Sequence, residues 1–414
     1  MPFMSFSALG LHPTLLTTLA ALDYAEPTPV QSQAIPVIIA EKDLMAGAQT
    51  GTGKTAAFVL PILHRLLSTP SSGNTPLRPV RALILVPTRE LALQVQQSVE
   101  RYAKDTSLKS TLVYGGVSID AQVSAMQRGI DVLVATPGRL LDHLRQGALN
   151  LAHLEVLVFD EADRMLDMGF MDEINAVLKQ VPESRQTLLF SATFNDAVFR
   201  LSKSILKDPQ VIEVAKRNTT AAEIEQLVFA VDSERKQALI CHLITQKQWQ
   251  PVLIFSRTKQ GADKLAAQLI KHDVAALAFH GDLAQGAREK VLQDFRLGRI
   301  QALVATDVAA RGLDITELNY VINLELPFVA EDYVHRIGRT GRAGKKGTAV
   351  TLYSPEDALR LEEVEAVLDK RLPQQWYPGF EPDLTKMDTE PKRNTKAAQK
   401  QRAKKRALGG KGKR

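Results

Sequence analysis

A glycine-rich segment near the start of the chain has the residue types and the spacing of a phosphate-binding loop. It reads AQTGTGKT over residues 48–55, after an apolar strand pattern at 43–46 and before a helical pattern. Glycines allow backbone N–H groups to converge on phosphate oxygens, and the following helix adds its positive N-terminal end. Lys54 would reach the β- and γ-phosphates, and Thr55 would hold Mg²⁺. The segment predicts a nucleoside triphosphate site; a chance glycine-rich turn is the alternative, and Ala48 replaces the first glycine of the usual pattern.

A cluster of carboxylates about 105 residues further on could complete such a site. The sequence VFDEAD at 158–163 is an apolar strand pattern that ends in acidic residues. The carboxyl ends of parallel strands face the crevice where ligands bind. Asp160 suits Mg²⁺ coordination through water, and Glu161 could orient or deprotonate a water that attacks the γ-phosphate. Alone, the cluster would be a solvated loop; after a phosphate-binding loop it indicates nucleotide hydrolysis.

A third group of residues, in the second half of the chain, is cationic. It reads HRIGRTGR over residues 335–342, and on a helix His335, Arg339 and Arg342 would share one face. Three cations on one face favour an anion, and arginine offers phosphate two parallel donors. These residues would complete a nucleotide site only when the two halves of the chain close, as an arginine finger does. A solvated basic helix is the alternative.

The elements that must position these residues are predicted by alternating strand and helix patterns. In the first half, near-continuous apolar runs occur at 82–86, 131–135, 156–159 and 186–190. In the second half, they occur at 251–255, 276–279, 301–305 and 320–323. Such runs, alternating with helices, are typical of parallel strands buried on both faces of a doubly wound α/β sheet. The segment VLVAT at 132–136 also resembles ALVAT at 302–306. This similarity is weak evidence for a repeat, because two unrelated buried strands would show it as well.

Domain boundaries are predicted from length and composition. A chain of 414 residues favours two domains. We expect the first at 1–215 and the second at 225–371, joined by a polar linker at 216–224. Residues 372–414 are expected to form a C-terminal extension that ends in a disordered basic tail, because the segment loses apolar periodicity and becomes rich in Lys, Arg, Ala and Gly.

Composition excludes several classes of protein. Hydrophobic residues make up 45% and charged residues 24%, as in ordinary globular proteins. No apolar run approaches the roughly 18 residues of a membrane-spanning helix, and no secretory signal is apparent. The single cysteine, Cys241, excludes an internal disulfide and a Cys-based zinc cluster. We therefore expect a buried thiol in a cytoplasmic protein that makes no membrane contact.

The net charge of +6 hides an uneven distribution of charge along the chain. Residues 391–414 contain eleven Lys and Arg and no Asp or Glu, which leaves 41 basic and 46 acidic residues in 1–390, a balance of −5. A basic terminal arm is typical of a nucleic-acid tether, and a solubilising tail without a partner is the alternative.

Together the motifs resemble those of the DEAD-box ATP-dependent RNA helicases of superfamily 2. The box itself is DEAD at 160–163, and the other family motifs occur in order from Phe6 to Arg342. The segment YPGFEP at 377–382, before the basic tail, is similar to the bacterial RhlE-like subgroup. The resemblance implies an α/β fold of two tandem RecA-like P-loop domains, each a mostly parallel sheet flanked by helices. It also implies ATP and Mg²⁺, largely sequence-independent binding to the RNA backbone, and a monomer; ribosomal-precursor or RNA-decay complexes are further expected partners.

The resemblance assigns roles residue by residue. The catalytic residues are Lys54, Asp160, Glu161, Arg339 and Arg342, and the Mg²⁺ ligands are Thr55 and Asp160, partly through water. The ATP-binding residues are Phe6, Tyr24, Thr28, Gln31, Ala48, Gln49, Thr50, Gly51, Thr52, Gly53, Lys54, Thr55, Gly312 and Asp314. The coupling residues are Asp163, Ser191, Thr193, Arg311 and His335. The RNA-binding residues are Pro87, Thr88, Arg89, Gly115, Gly116, Thr136, Pro137, Gly138, Arg139, Arg257, Thr258, Gly281, Gln285, Arg288, Thr306 and Asp307, of which those in the second lobe match either RNA-facing or lobe-coupling motifs.

The chemistry of two of these motifs agrees with the roles that the resemblance implies. The amide of Gln31 can pair with N6 and N7 of adenine, and an aromatic ring can stack on the base. Asp23 precedes Tyr24 where the family usually has glycine, which affects the turn rather than the glutamine. We also expect hydroxyl groups of the Ser191-Ala192-Thr193 motif to contact Asp163.

The resemblance therefore predicts an RNA-dependent ATPase that locally separates short RNA duplexes or remodels RNA–protein complexes, as ATP and RNA close the two lobes. A DNA-directed helicase is one alternative, because backbone contacts do not identify the sugar and contacts to 2′-hydroxyls would. A catalytically idle RNA clamp is another, and the intact Lys54, Glu161, Arg339 and Arg342 argue against it.

Overall fold

The computed structural model describes residues 5–48, 52–69, 78–127, 129–213, 224–310, 318–341 and 347–383. The chain divides into two compact units, with a division after Thr219. Some residues singled out above lie outside the described residues, namely Gln49, Thr50, Gly51, Arg311, Gly312, Asp314 and Arg342, together with the basic tail.

The described part of the first domain is built on a seven-stranded sheet in which every neighbouring pair of strands is parallel. In chain order the strands are β1 (Leu44–Gly47), β2 (Ala82–Leu85), β3 (Ser110–Val113), β4 (Val132–Ala135), β5 (Val156–Phe159), β6 (Gln186–Ser191) and β7 (Gln210–Glu213). Their spatial order is β3-β4-β2-β5-β6-β1-β7. Parallel strands end at the same edge, so the residues that follow β1 to β6 meet along one edge of the sheet.

In the first domain, a 3-10 turn at Phe6–Leu9 and two helices precede β1, and helices then alternate with the strands. They are α1 (Pro13–Ala21), α2 (Pro29–Ile39), α3 (Lys54–Ser68), α4 (Arg89–Tyr102), α5 (Ile119–Met126), α6 (Pro137–Arg145), α7 (Ala162–Asp167), α8 (Met171–Leu178) and α9 (Asp196–Ile205). Helix α3 runs unbroken through Pro61.

The apolar runs predicted as strands are buried on both faces of this sheet. Successive side chains of a strand point to opposite faces. In β2, Ile84 joins one apolar cluster, whereas Leu83 and Leu85 join the other. Both faces are therefore covered, which explains why the strands read as continuous rather than alternating apolar runs.

The second domain repeats the topology of the first. Its strands are β8 (Ile224–Ala230), β9 (Val252–Ser256), β10 (Ala276–Phe279), β11 (Ala302–Thr306), β12 (Tyr320–Asn323), β13 (Gly347–Tyr353) and β14 (Gln374–Trp376), all in parallel pairs. Their order, β10-β11-β9-β12-β13-β8-β14, matches that of the first sheet strand for strand. The similarity between 132–136 and 302–306 therefore has a structural basis, because β4 and β11 occupy the same place in the two sheets.

The described helices of the second domain also alternate with its strands, and Cys241 is buried as expected. They are α10 (Lys236–Lys247), α11 (Lys259–Lys271), α12 (Gln285–Arg296), α13 (Asp307–Ala310), α14 (Ala330–Ile337) and α15 (Ala358–Leu368), with 3-10 turns at Ser233–Arg235 and Pro355–Asp357.

The second domain extends beyond the end at residue 371 that composition indicated. Strand β14 adds to the edge of the sheet beside β8, and the chain after it packs on the domain. The ring of Tyr377 lies 5.4 Å from that of Phe229, and the ring of Phe380 lies 5.3 Å from that of His242. Strand pairing and aromatic contacts thus hold this segment on the domain although its sequence lacks apolar periodicity. A short strand at the edge of a sheet can form without a periodic apolar pattern.

Candidate active site

Three neighbouring strands bring the predicted nucleotide motifs to one edge of the first sheet. Strands β5, β6 and β1 are adjacent, and their carboxyl ends lead into the DEAD sequence, the Ser191-Ala192-Thr193 motif and the phosphate-binding loop, respectively. In open α/β sheets, ligands bind outside the carboxyl ends of the strands. The strand order therefore brings the phosphate-binding loop beside two motifs that lie more than a hundred residues further along the chain.

Lys54 lies at the start of α3 and points its ammonium group into this edge. Gly53, the residue before the helix, has φ of +89°. The Lys54 side chain is 5% exposed, and its Nζ lies 3.8 Å from Oδ1 of Asp160. Nζ makes no hydrogen bond to any of the described residues. A buried ammonium group without a hydrogen-bonded partner among the described residues is suited to binding phosphate oxygens, and that role of Lys54 stays a prediction.

Gln31 is attached to the phosphate-binding loop, a contact that the sequence did not indicate. Its Oε1 accepts a hydrogen bond from Thr28 N at 2.9 Å, and its Nε2 donates to the carbonyl of Gly53 at 3.1 Å. A Cβ atom at residue 53 would lie 2.5 Å from this Nε2, so both the positive φ and the close approach require glycine. Because a primary amide has two donor hydrogens and two acceptor lone pairs, these bonds leave capacity for adenine.

The two aromatic residues expected at the adenine pack against each other. Phe6 is buried in the core cluster, and its ring centroid lies 6.2 Å from that of Tyr24. The Tyr24 hydroxyl is 3.0 Å from the hydroxyl of Tyr102 on α4. Stacking of either ring on the base stays a prediction.

The two carboxylates after β5 are both nearly inaccessible to solvent. Burial raises the pKa of Asp160 to about 6, Lys54 opposes that rise, and the carboxylate of Glu161 adds to it. Glu161 has φ of +55°, in the left-handed region that is unfavourable for a side chain with Cβ. Its Oε2 lies 3.4 Å from Nε of Arg164 on α7. The backbone of Glu161 is thus held in a strained conformation, as often found at functional sites.

The donor set at this edge fits Mg²⁺. Mg²⁺ in nucleotide sites is usually held by one or two protein oxygens together with waters and substrate phosphates. Asp160 offers a buried carboxylate beside the Lys54 ammonium, and Thr55 offers a hydroxyl at the first turn of α3. Both residues were predicted from the sequence as Mg²⁺ ligands, and that role stays a prediction.

The predicted hydroxyl contact between the Ser191-Ala192-Thr193 motif and the DEAD sequence is present. Asp163 Oδ2 accepts hydrogen bonds from the backbone N–H of Thr193 at 3.0 Å and from its hydroxyl at 2.9 Å. The Ser191 hydroxyl donates to the Thr193 carbonyl at 2.7 Å. These bonds join the carboxyl ends of β5 and β6 through side chains as well as through the sheet.

The predicted RNA motifs of the first domain occupy the other half of the same edge. Pro87, Thr88 and Arg89 follow β2, Gly115 and Gly116 follow β3, and Thr136, Pro137, Gly138 and Arg139 follow β4. Strands β3, β4 and β2 are adjacent in the sheet. The nucleotide motifs and the proposed RNA motifs are therefore side by side on one edge, and the boundary between them lies between β2 and β5.

The predicted RNA motifs of the second domain lie at the equivalent edge of its sheet. Arg257 and Thr258 follow β9, Gly281, Gln285 and Arg288 follow β10, and Thr306 and Asp307 end or follow β11. Thr258 caps α11, its hydroxyl accepting a hydrogen bond from Gly261 N at 2.9 Å. The guanidinium of Arg257 lies 5.3 Å from the ring centroid of Phe328, which is 64% exposed.

Arg336 is a central residue of the second domain that sequence reasoning missed. Its side chain is 1% exposed, and its Nε and Nη2 donate to the two carboxylate oxygens of Asp307 at 2.5 and 2.6 Å. Its Nη1 donates to Asn323 Oδ1 and to the carbonyl of Glu325. Asp307 therefore has a structural partner, Arg336. The sequence signal for Arg336 was its place in the cationic motif, directly after His335.

The expectation of one helical face for the cationic motif is wrong. Helix α14 ends at Ile337, so Arg339 lies beyond the helix and does not continue the face that carries His335. The hydroxyl of Thr340 donates to the carbonyls of Leu318 and Asn319, which draws the chain towards the sheet. Arg339 is buried, and His335 Nδ1 lies 3.8 Å from the Asp332 carboxylate. Arg342 lies outside the described residues.

None of the helices in the described part of the chain is long and apolar enough to cross a membrane.

Two family models match the chain in the order of its domains. The DEAD/DEAH box helicase family matches residues 28–201, and the helicase conserved C-terminal domain matches residues 235–344. Both matches cover the strands whose carboxyl ends carry the motifs described above.

Similar proteins and solved structures agree with these matches. The ATP-dependent RNA helicase CshA of Listeria monocytogenes is 42% identical over 367 residues, which are 89% of this chain and 69% of that protein. The ATP-dependent RNA helicase RhlB of Xanthomonas axonopodis pv. citri is 40% identical over 89% of this chain and 65% of its own length. The chain thus spans about two thirds of the length of these relatives.

Among solved structures, S. cerevisiae Dbp5 bound to RNA and ADP BeF3 is 32% identical with a TM-score of 0.78, over 90% of this chain and 95% of that one. Mss116p bound to ssRNA and AMP-PNP is 29% identical with a TM-score of 0.81, over 94% of this chain and 83% of that one. By its motifs, its fold and these similarities, the chain belongs to the DEAD-box family of ATP-dependent RNA helicases.

Proposed function

We propose that this protein is an RNA-dependent ATPase that uses ATP to separate short RNA duplexes or to remodel RNA–protein complexes. The observation that carries the proposal is the division of one sheet edge: nucleotide motifs follow β5, β6 and β1, and basic and glycine-rich motifs follow β3, β4 and β2. The relatives named as ATP-dependent RNA helicases support the same activity.

In the proposed hydrolysis, each residue of the nucleotide site has one task. Lys54 binds the β- and γ-phosphates. Its Nζ is buried and has no hydrogen-bonded partner among the described residues, so its N–H groups are available to phosphate oxygens. Glu161 orients a water and takes its proton as the water attacks the γ-phosphate. Thr55 and Asp160 would hold Mg²⁺, which neutralises charge on the phosphates when bound.

Coupling between the two halves of the edge is proposed to run through Asp163. Its carboxylate binds Thr193 on the nucleotide side. The strand that ends in the DEAD sequence pairs directly with β2, and Asp160 N donates to the carbonyl of Leu85. A change around the γ-phosphate would therefore reach the neighbouring strand whose end carries the proposed RNA contacts.

The second domain is proposed to supply the remaining groups. By the resemblance, Arg339 and Arg342 act on the γ-phosphate, Asp314 accepts from the ribose, and His335 couples the domains. The RNA contacts of both domains are proposed to be made largely to the backbone, through hydroxyls, backbone amides and arginines.

We also propose finer assignments. YPGFEP at 377–382 supports the RhlE-like subgroup, and the single buried Cys241 is consistent with a cytoplasmic protein. The complete motif set in one chain supports a monomer. RNA in ribosomal precursors or in decay complexes is the proposed substrate class, and the basic tail is proposed to tether it.

Steady-state ATP hydrolysis tests the proposed function. The full chain is assayed alone, with a single-stranded RNA and with DNA of the same sequence, and strand release from a short RNA duplex is followed in parallel. We expect stimulation by RNA and ATP-dependent strand release. Equal stimulation by DNA would favour a DNA-directed helicase, and RNA binding without hydrolysis would favour an idle clamp.

A further inference from the structure

Gln122 of α5 lies at the centre of a buried hydrogen-bond network behind the proposed RNA surface of the first domain. Its Nε2 donates to the carbonyl of Tyr114 at 3.0 Å. Its Oε1 accepts from Nη1 of Arg139 at 3.1 Å and from Nε2 of His143 at 2.9 Å. The side chain is 8% exposed. One amide thus joins α5, the loop after β3 and helix α6.

The loop that this network holds carries the two glycines proposed to contact RNA. Gln122 binds the carbonyl of Tyr114, before the glycines, and Arg139 donates to the carbonyl of Val117, after them, at 3.0 Å. A Cβ atom on Gly116 would lie 2.2 Å from Nη1 of Arg89, so the loop passes directly over that guanidinium. The loop is therefore fixed at both ends and in contact with a third motif.

His143 fixes the orientation of the Gln122 amide from behind. The Gln122 oxygen can only accept, so Nε2 of His143 must carry the proton, and its Nδ1 makes no hydrogen bond to any described residue. Burial and the nearby Arg139 lower the pKa of His143, which keeps the ring neutral. A neutral imidazole has one N–H group, and His143 donates it to Gln122.

We infer that Gln122 is a positioning residue for RNA, which sets the loop 114–117 and the Arg139 guanidinium in one geometry for the RNA backbone. This inference rests on the proposed function. Gln122 does not contact the nucleotide motifs, and because it is buried it does not contact a ligand on the surface. It acts through the groups that it orients. A change at Gln122 should therefore affect RNA binding and not nucleotide binding.

The test replaces Gln122 with methionine, which has similar length and no hydrogen-bonding amide. Gln127→Met is the matched control, because Gln127 is exposed at the end of the same helix. ATP hydrolysis by the full chain is measured against RNA concentration and, at saturating RNA, against ATP concentration. We expect Gln122→Met to raise the half-saturating RNA concentration about tenfold, with the half-saturating ATP concentration and the rate at saturating RNA near wild type.

Gln122→Glu is a second variant that tests the same inference if Gln122→Met does not fold. It keeps the shape and the acceptor oxygen toward Arg139, and it replaces the donor that binds the Tyr114 carbonyl. We expect a rise in half-saturating RNA for this variant as well, and none for Gln127→Met. Half-saturating RNA within twofold of wild type in Gln122→Glu, or a parallel loss of ATP affinity, would overturn the positioning role. A wild-type protein that RNA does not stimulate would instead overturn the proposed function.

Discussion

Gln31→Ala separates two contributions to nucleotide binding that one side chain combines. The amide accepts from Thr28 N at 2.9 Å and donates to the Gly53 carbonyl at 3.1 Å. Each such bond contributes about 0.5–1.5 kcal/mol net, so removing both takes about 1–3 kcal/mol from the ordering of the phosphate-binding loop. Pairing with adenine, worth about 1–3 kcal/mol for a bidentate contact, would add a penalty for ATP alone.

Equilibrium binding of fluorescent ATP and GTP analogues to the full chain with Mg²⁺ measures both contributions. We expect Gln31→Ala to weaken GTP binding by about 5- to 150-fold through the loop, and to weaken ATP binding by more. Gln33→Ala is the control, since Gln33 is exposed on the same helix and its truncation should change neither affinity.

Each contribution can be refuted separately. Unchanged GTP affinity in Gln31→Ala would refute the support that the amide gives to the loop. Equal reductions in affinity for the two nucleotides would refute adenine pairing. Urea unfolding without nucleotide should also show a lower free energy of unfolding for Gln31→Ala than for Gln33→Ala, because only the former removes buried hydrogen bonds.

The remaining predictions concern hydrolysis, the tail and the pH dependence of stability. Glu161→Gln should retain Mg-ATP and RNA binding and lose most turnover, whereas Lys54→Ala should lose nucleotide affinity; equal binding defects would contradict this division. Arg342→Ala should abolish RNA-stimulated hydrolysis, since finger arginines contribute roughly 10³–10⁵ in rate; near-normal turnover would exclude a finger. Ending the chain after Glu390 should lower the slope of log affinity against log salt by roughly 0.7 for each phosphate that the tail neutralises, and it should spare hydrolysis at saturating RNA; equal slopes would indicate a solubility tail. Because burial lowers the pKa of His143, the unfolded chain binds its proton first as pH falls below 6.5, so stability should decrease there, and less so in His143→Gln; identical pH profiles would contradict this.

The chemistry of the nucleotide site was predictable from contiguous residues. The phosphate-binding loop and the DEAD sequence each combine a buried strand with polar residues at its end, within about twelve positions at most. Strand burial is encoded in the apolar runs themselves, and the carboxyl end of a strand follows from chain direction. The resemblance also led us to expect the Asp163 contact with the Ser191-Ala192-Thr193 motif, and in this chain it joins the ends of the neighbouring strands β5 and β6.

The cationic motif illustrates where a local pattern is insufficient. Helical spacing over 335–342 is a property of the sequence, but the helix ends at Ile337. The hydroxyl of Thr340 finds its acceptors at Leu318 and Asn319, about twenty residues earlier in the chain. The hydrogen bonds of Thr340 to the segment just before β12 compete with a longer helix, and no pattern within 335–342 reveals them.

Residue identity and period predicted which segments form strands, which side chains are buried and which residues are candidates for binding phosphate, because these depend on a few adjacent positions. Pairing between distant residues required the folded chain: Gln31 with Gly53, Arg336 with Asp307, and Gln122 with Tyr114, Arg139 and His143. Such pairs depend on the order of the strands and on which loops that order makes adjacent. Only the tertiary structure brings these groups within hydrogen-bonding distance of one another, since hydrogen bonds act over a short range in space and sequence separation does not limit them.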